Sequence, residues 1–323
     1  MSDYILEFKK KNCLVTGGAG FIGSNLSRFL AKNGAIVTVL DDFSTGRKEN
    51  VLDFENLGIK LIEADISEQE HTSTYFSEID YVFHQAAVPS VPRSIAEPLL
   101  TNNSNVNGTL AVLENCRLND IKKVVFAASS SAYGDTEVLP KEVSMNPSPL
   151  SPYAVQKLTG EMYCKTYFDN FGLRTTALRY FNVYGPYQDP TSEYSAVIPI
   201  FIKKALANKP IIIFGDGTTS RDFTFIEDVI QANLRAAIST KSDGHVVNVG
   251  YGNRFTLTEL ANKVIENIGS NSIIEYADFR KGDVLHSLAD ISTTKDLIDY
   301  VPQFDLFTGL SKTIDFYKKW RLL

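Results

Sequence analysis

Tyr153 and Lys157 are the residues of this chain best suited to moving a proton. They stand in the run Ser151-Pro152-Tyr153-Ala154-Val155-Gln156-Lys157, and a spacing of four puts both side chains on one face of a helix, one turn apart. A free phenol has a pKa near 10 and is a poor base at neutral pH. A fixed ammonium beside it favours the phenolate. Bringing the phenol close to neutrality takes roughly 4 kcal/mol of charge stabilisation, at about 1.4 kcal/mol per unit. A pair so tuned can take a proton from a substrate hydroxyl and return it. Tyr-x-x-x-Lys also occurs on ordinary solvated helices. Its weight here comes from what precedes it: a serine run, Ser129-Ser130-Ser131, and a glycine-rich turn, Gly17-Gly18-Ala19-Gly20-Phe21-Ile22-Gly23.

The elements that must position these residues alternate along the first half. Short apolar runs at Cys13 to Thr16, Ile36 to Leu40, Leu61-Ile62, Tyr81 to His84, Val124 to Ala128 and Thr175 to Leu178 read as strands. Helical patterns fall between them, at Phe21 to Leu30, Val106 to Cys116 and Tyr153 to Phe171. That rhythm predicts a parallel sheet covered on both faces. Ser151 as cap, Pro152 at the first helical position and Gly172 beyond the end bound the Tyr153 helix. Past Asn182 the rhythm loosens at Gly185-Pro186. There a helix is expected over Ala196 to Ala207, a strand at Ile211 to Phe214, a turn at Gly215-Asp216-Gly217, and a capping box, Thr256 with Glu259, opening a helix to about Ile268. Val246 to Val249 is placed to return to the main sheet.

The glycine turn follows a strand and opens a helix, the context in which G-x-G-x-x-G binds a dinucleotide. The glycines permit a tight turn and close approach of a pyrophosphate, and the helix N-terminus supplies N–H donors. Asp41 ends the next strand, where a carboxylate can bond ribose hydroxyls. With Asp42 beside it, two acids repel a 2′-phosphate, which favours NAD over NADP; Arg47 pulls the other way. Asp65-Ile66, after the third strand, is placed to flank the adenine.

Composition narrows the rest. The chain has 323 residues, 44% hydrophobic and 22% charged, the balance of a globular protein with ample core. Net charge is −6 with no basic run, which argues against a nucleic-acid partner. Cys13, Cys116 and Cys164 are widely spaced and read as buried thiols in a reducing compartment. No signal peptide or membrane span is visible, so a cytoplasmic location is expected. His71, His84, His245 and His286 have no metal-ligand spacing, so no metal site is expected.

Taken together, the fingerprint, Asp41, the serine run and Tyr153-x-x-x-Lys157 resemble an extended short-chain dehydrogenase/reductase. Further segments are similar to nucleotide-sugar 4-epimerases: His84-Gln85-Ala86-Ala87, Arg179-Tyr180-Phe181-Asn182-Val183-Tyr184-Gly185-Pro186, Gly215-Asp216-Gly217 with Arg221-Asp222-Phe223, and Arg280-Lys281-Gly282-Asp283. Ser90-Val91-Pro92-Arg93-Ser94 and His286-Ser287-Leu288-Ala289-Asp290 bring the likeness nearest to epimerases of UDP-N-acetylhexosamines and their uronic acids, used in surface polysaccharides. The resemblance implies an α/β fold: a Rossmann-type doubly wound parallel sheet with a smaller C-terminal α/β substrate lobe. The expected division is 1–182 for NAD, with a return segment near 222–252, and 183–323 for the UDP-sugar. It also implies a homodimer, and the apolar residues Leu110, Leu113, Leu158, Met162, Tyr163 and Tyr167, spread over more than one helix face, suit one.

The same resemblance implies a role for each matching residue. Tyr153 takes the proton of the sugar 4-hydroxyl, Lys157 bonds the nicotinamide ribose and holds down the phenol's pKa, and Ser129 relays or steadies the proton, with Ser130 and Ser131 in reserve. Gly17, Gly20, Phe21, Ile22, Gly23, Asp41, Asp42, Ser44, Thr45, Gly46, Asp65, Ile66, Gln85, Ala86, Ala87, Ser104 and Tyr180 surround the cofactor. Ser90, Arg93, Asn182, Ala196, Val197 and Asp283 surround the substrate, Arg221 and Arg280 clamp its diphosphate, and Ser287 gates its 2-substituent. Dehydratases of the family carry an Asp-Glu pair just after the hydroxyl residue, and decarboxylases keep a glutamate there. This chain has Ser130, Ser131 and Ala132, which favours epimerisation. The remaining alternatives are a UDP-glucose/UDP-galactose substrate and an inactive NAD-binding regulatory protein.

Overall fold

The computed structural model describes residues 3–190, 196–279 and 284–320. Six strands follow the expected rhythm: β1 (Asn12–Thr16), β2 (Ile36–Asp41), β3 (Lys60–Glu63), β4 (Tyr81–His84), β5 (Lys123–Ser129) and β6 (Thr175–Tyr180). The chain then passes through β7 (Val183–Tyr184), β8 (Ile211–Phe214), β9 (Ser220–Arg221) and β10 (Thr224–Phe225) before β11 (His245–Val249). β11 joins the main sheet beside β6, so seven parallel strands lie in the order β11-β6-β5-β4-β1-β2-β3. The order reverses at β1, between β4 and β2, which opens a crevice at the carboxyl ends of the strands, the usual ligand position in such sheets.

Residues of the central strands β1, β4, β5 and β6 are buried on both faces, as parallel sheets require, while the edge strand β3 is largely exposed. One face packs Val15, Val39, Val125 and Leu178 against the helices Phe21–Lys32 and Ile226–Ile238. The other packs Leu14, Val82, Phe126 and Ala177 against the helices Gly108–Leu118 and Pro152–Phe171. Gly160 allows the second contact, because a Cβ there would stand 2.4 Å from the Phe126 ring. The Tyr153 helix has the caps expected of it: Ser151 Oγ accepts from the Ala154 N–H at 3.2 Å, and Gly172 ends the helix at φ 71°.

The remaining elements make the smaller layer. β13 (Ile274–Ala277) pairs with β8, and β12 (Phe255–Thr256) pairs with β9. The capping box of Thr256 and Glu259 opens the helix Leu257–Ile268 as expected. Beyond Asn182, three of the described helices were not foreseen: Ile226–Ile238, Ser292–Ile298 and Leu306–Lys319. Leu306, Leu310, Ile314 and Tyr317 of the last bury an apolar stripe in the same core as the main sheet. Among the described residues no helix is long and apolar enough to cross a membrane.

Candidate active site

A cavity of about 990 Å³ opens at the carboxyl ends of the strands. The glycine turn forms one end. Gly17 has φ +70°, and a Cβ on it would meet the Ala86 backbone at 2.6 Å; one on Gly23 would stand 2.2 Å from the Gly17 oxygen. Gly20 precedes the helix Phe21–Lys32 without a side-chain cap, leaving the first-turn N–H groups at Phe21, Ile22 and Gly23 on the cavity wall. This is a cradle for a phosphate group.

The two acids behave differently. Asp41 is buried and accepts from the Ala19 and Phe43 N–H groups, both at 2.8 Å. Burial raises its pKa and those two bonds oppose the rise. Gly46 lies against it, since a Cβ there would come within 2.5 Å of Asp41 Oδ1; Gly46 thus supports the wall without lining it. Asp42 accepts from the N–H and hydroxyl of Ser44. Arg47 is committed elsewhere, to Asp189 at 2.5 Å and Glu49 at 3.4 Å, so the acids dominate the charge at this end. Ser44, Thr45, Asp65, Ile66, Ala86, Ala87 and Ser104 line the same stretch. Gln85 and Tyr180 line it too, joined behind the wall by Asn233, which bonds both side chains. These glycines and acids fit a dinucleotide.

At the far end Tyr153 faces the cavity beside Ser129 and Ser130. Burial raises the phenol's pKa, and a hydrogen bond with Ser129 opposes that. Ser131 stands behind, donating its hydroxyl to Ser129 Oγ at 2.9 Å. Lys157 differs from expectation. It does not line the cavity; its Nζ donates to the Ala127 carbonyl at 2.8 Å and sits 5.0 Å from the Phe126 ring centre. The long side chain reaches past the phenol to the sheet, so it is not among the groups that lower the Tyr153 pKa. Burial brings Lys157 down to about 8.

On the substrate side, Ser90 caps the helix Val91–Ala96 by accepting from the Arg93 N–H at 3.1 Å, and Arg93 pairs with Glu97 at 3.0 Å. Ser90, Arg93, Asn182 and Ala196 line the cavity. Val197 is the first residue of the helix Val197–Leu206, behind Ala196. Arg221, on β9, donates to the Ser220 and Leu285 carbonyls and is not on the cavity wall. Ser287 is buried behind Asn182, whose Nδ2 donates to its hydroxyl at 3.0 Å. Arg280 and Asp283 lie outside the described residues. Among those described, no three His, Cys, Asp or Glu side chains are grouped to hold a metal.

Sequence reasoning passed over Asn50, Glu97, Tyr187, Gln188 and Asp189, all on the wall. Tyr187 packs 3.9 Å from the Arg28 guanidinium, and Asn25 and Asn50 bond the carbonyls of Pro186 and Tyr187. For Tyr187, Gln188 and Asp189 the nearest signal was their position directly after Gly185-Pro186.

Residues 13–250 match the NAD dependent epimerase/dehydratase family. The chain belongs to that family. Among its relatives is a putative UDP-glucose 4-epimerase of Methanocaldococcus jannaschii, 39% identical over 94% of this chain and 98% of the relative. A solved UDP-N-acetylglucosamine 4-epimerase of Methanobrevibacter ruminantium, in complex with UDP-N-acetylmuramic acid, is 40% identical with TM-score 0.91 over 96% of this chain and 99% of that one. A UDP-glucuronic acid 4-epimerase of Bacillus cereus, with UDP-glucuronic acid and NAD bound, is 33% identical with TM-score 0.87 over 95% and 99%.

Proposed function

We propose that the protein is a UDP-sugar 4-epimerase that retains NAD, with UDP-N-acetylglucosamine and UDP-N-acetylgalactosamine or their uronic acids as preferred substrates. The observation that carries this reading is the proton-transfer end of the cavity. Tyr153 stands there with Ser129 and Ser130, and the stretch Ser129-Ser130-Ser131-Ala132 contains no carboxylate to eliminate water or support decarboxylation.

The glycine turn and Asp41 would hold NAD, which would supply a reversible hydride acceptor for carbon 4. The chain's own residues do the rest. Tyr153 takes the 4-hydroxyl proton and returns it, Ser129 steadies that proton, and Ser131 orients Ser129. Lys157 fastens the Tyr153 helix to β5 behind the phenol, donating to the Ala127 carbonyl. Asn182 touches the diphosphate side, and Arg221 and Arg280 are assigned to grip the diphosphate. A firm hold on the nucleotide with small hydroxyls around the hexose lets a 4-keto sugar turn over between the two hydride transfers. We assign residues 1–182 to NAD and 183–323 chiefly to the UDP-sugar.

The N-acetyl preference is supported by Ser287, a small residue behind Asn182, and by the likeness to the Methanobrevibacter ruminantium enzyme. The relative from Methanocaldococcus jannaschii supports UDP-glucose as the second reading. Incubating the protein with each UDP-sugar without added cofactor, then separating the products by chromatography, tests both. Interconversion of the acetylated pair is the expected result, exclusive use of UDP-glucose and UDP-galactose supports the second reading, and no conversion of any 4-hydroxyl contradicts the proposal.

A further inference from the structure

The first turn of an α-helix leaves its backbone N–H groups without partners inside the helix, and the Tyr153 helix fills them from two sources. Pro152 has no N–H. Ala154 donates to the Ser151 hydroxyl at 3.2 Å and Val155 to the Ser151 carbonyl at 3.0 Å, both within the same stretch of chain. The remaining donor is the backbone N–H of Tyr153 itself, and it reaches Oγ of Ser94 at 3.0 Å, 59 residues away in sequence. We propose that Ser94 is a positioning residue for the reaction, whose hydroxyl fixes the backbone of Tyr153 to the short helix lining the substrate side of the cavity. The inference rests on Tyr153 being the proton carrier.

Ser94 is well placed for this bond. It is wholly buried, and its hydroxyl donates to the Val91 carbonyl at 2.7 Å. The hydroxyl hydrogen is thereby committed, and a lone pair is left for the Tyr153 N–H. Ser94 belongs to the helix Val91–Ala96, capped by Ser90, and Ser90, Arg93 and Ala96 line the cavity. One short helix thus presents Arg93 and Ala96 to the substrate side and Ser94 to the Tyr153 helix. Ser129 holds the other end of the same tyrosine through its phenol. Tyr153 is held twice, its backbone from the substrate wall and its oxygen from the end of β5.

A second polar contact joins the same surfaces one turn further on. Gln156, 3% exposed, donates to the Thr101 hydroxyl at 3.0 Å and accepts from Asn105 Nδ2 at 2.8 Å. Asn105 in turn accepts from the Val88 N–H at 2.8 Å, and Val88 lines the cavity. The segment from Val88 to Asn105 therefore wraps the start of the Tyr153 helix. Gln156 secures the helix, whereas Ser94 takes hold of the residue that carries the phenol. A misplacement of about 1 Å between reacting groups can cost a large factor in rate, so a bond to this backbone atom bears on turnover. A bond that merely caps the helix predicts lost stability with an unchanged rate in the folded protein.

The test uses the full-length protein with its NAD. Ser94→Ala deletes the acceptor. Ser151→Ala, which deletes the local cap bond of the same first turn, is its matched control. Urea midpoints and NAD content establish that each variant is folded and loaded, and kcat and KM are measured where folding is complete. Ser94→Ala is expected to lower kcat about tenfold with KM little changed, while Ser151→Ala loses stability and keeps kcat close to wild type. Adding Ser94→Ala to Tyr153→Phe should lower kcat little further, because the bond acts through the phenol. Should Ser94→Ala fail to fold, Ser94→Cys, which fills the space with a weaker acceptor, takes its place. Equal kcat for the Ser94 and Ser151 variants overturns the proposal, as do a raised KM with unmoved kcat and a full further loss in the Tyr153→Phe background. Normal turnover by Tyr153→Phe sinks instead the reading of Tyr153 on which the proposal rests.

Discussion

Asn182 donates from Nδ2 to the hydroxyl of Ser287 at 3.0 Å, joining the link between β6 and β7, on the cavity wall, to the segment behind it. The same hydroxyl accepts from the Asp222 N–H at 3.4 Å, and only 8% of Ser287 is exposed. The expected gate thus stands directly behind the wall instead of on it. A tyrosine at this position has no room where the serine sits. It must displace Asn182 or enter the cavity itself, and either takes space beside the hexose. Ser287→Tyr is expected to abolish turnover of acetylated UDP-sugars while sparing UDP-glucose to some degree, a discrimination of ~1–3 kcal/mol. Comparing kcat/KM for the two sugar classes checks it; equal losses for both would remove the gate.

Tyr153→Phe keeps the ring and deletes the oxygen hydrogen-bonded with Ser129. Turnover should fall by ~10²-fold or more. Because the ring still fills the wall, UDP-sugar affinity should change little, as calorimetric titration of the variant can show. A rate near wild type would mean that another group carries the proton.

Asp41 and Asp42 face the cavity while Arg47 is paired with Asp189. That charge pattern disfavours a 2′-phosphate. Protein denatured after purification is expected to release close to stoichiometric NAD and no NADP. Recovery of NADP would overturn the charge argument, and recovery of neither, with activity dependent on added NAD, would overturn tight retention.

The helices around Tyr153 leave an apolar surface open to solvent. Leu99 is 87% exposed, Ile95 63% and Met162 59%. Leu113, which the sequence pattern offered for the same contact, is fully buried inside the protomer. We expect a homodimer through this face. Sedimentation at micromolar concentration should give a dimer for the wild type and a monomer for Met162→Glu. A wild-type monomer would refute the assignment.

His84 hydrogen-bonds Thr16 at 2.7 Å and Thr109 at 3.0 Å, wholly buried. Burial lowers its pKa from 6.5 to about 3, so between those values the unfolded chain binds a proton that the folded one does not. Stability contributed by the neutral ring is complete above pH 6.5 and is lost as pH falls, with a slope of about 1.4 kcal/mol per pH unit. Asp222 and Asp228, both raised to about 6 by burial, act in the opposite sense from pH 6 downward. The difference between wild type and His84→Gln isolates the histidine. Urea midpoints from pH 7 to 4 should fall more steeply for the wild type, and parallel curves would contradict a neutral buried ring.

Much of the fold was legible because it is written locally. Apolar runs with helical patterns between them, Ser151-Pro152 before the Tyr153 helix and Gly172 after it, and the capping box of Thr256 and Glu259 are neighbour effects, and each appears where the pattern put it. The glycine turn and Asp41 were legible for the same reason, since backbone conformation and close approach leave glycine little substitute. What the tertiary structure alone decided depends on partners far apart in sequence. The four-residue spacing put Lys157 on the right face, but burial and the Ala127 carbonyl determined that its ammonium turns to the sheet. Spacing could not show that Arg179 would meet Glu161, that Asn233 would join Gln85 to Tyr180, or that Asp189 would take Arg47. A buried charge or amide must find its partner wherever packing brings one, and packing is a property of the assembled chain.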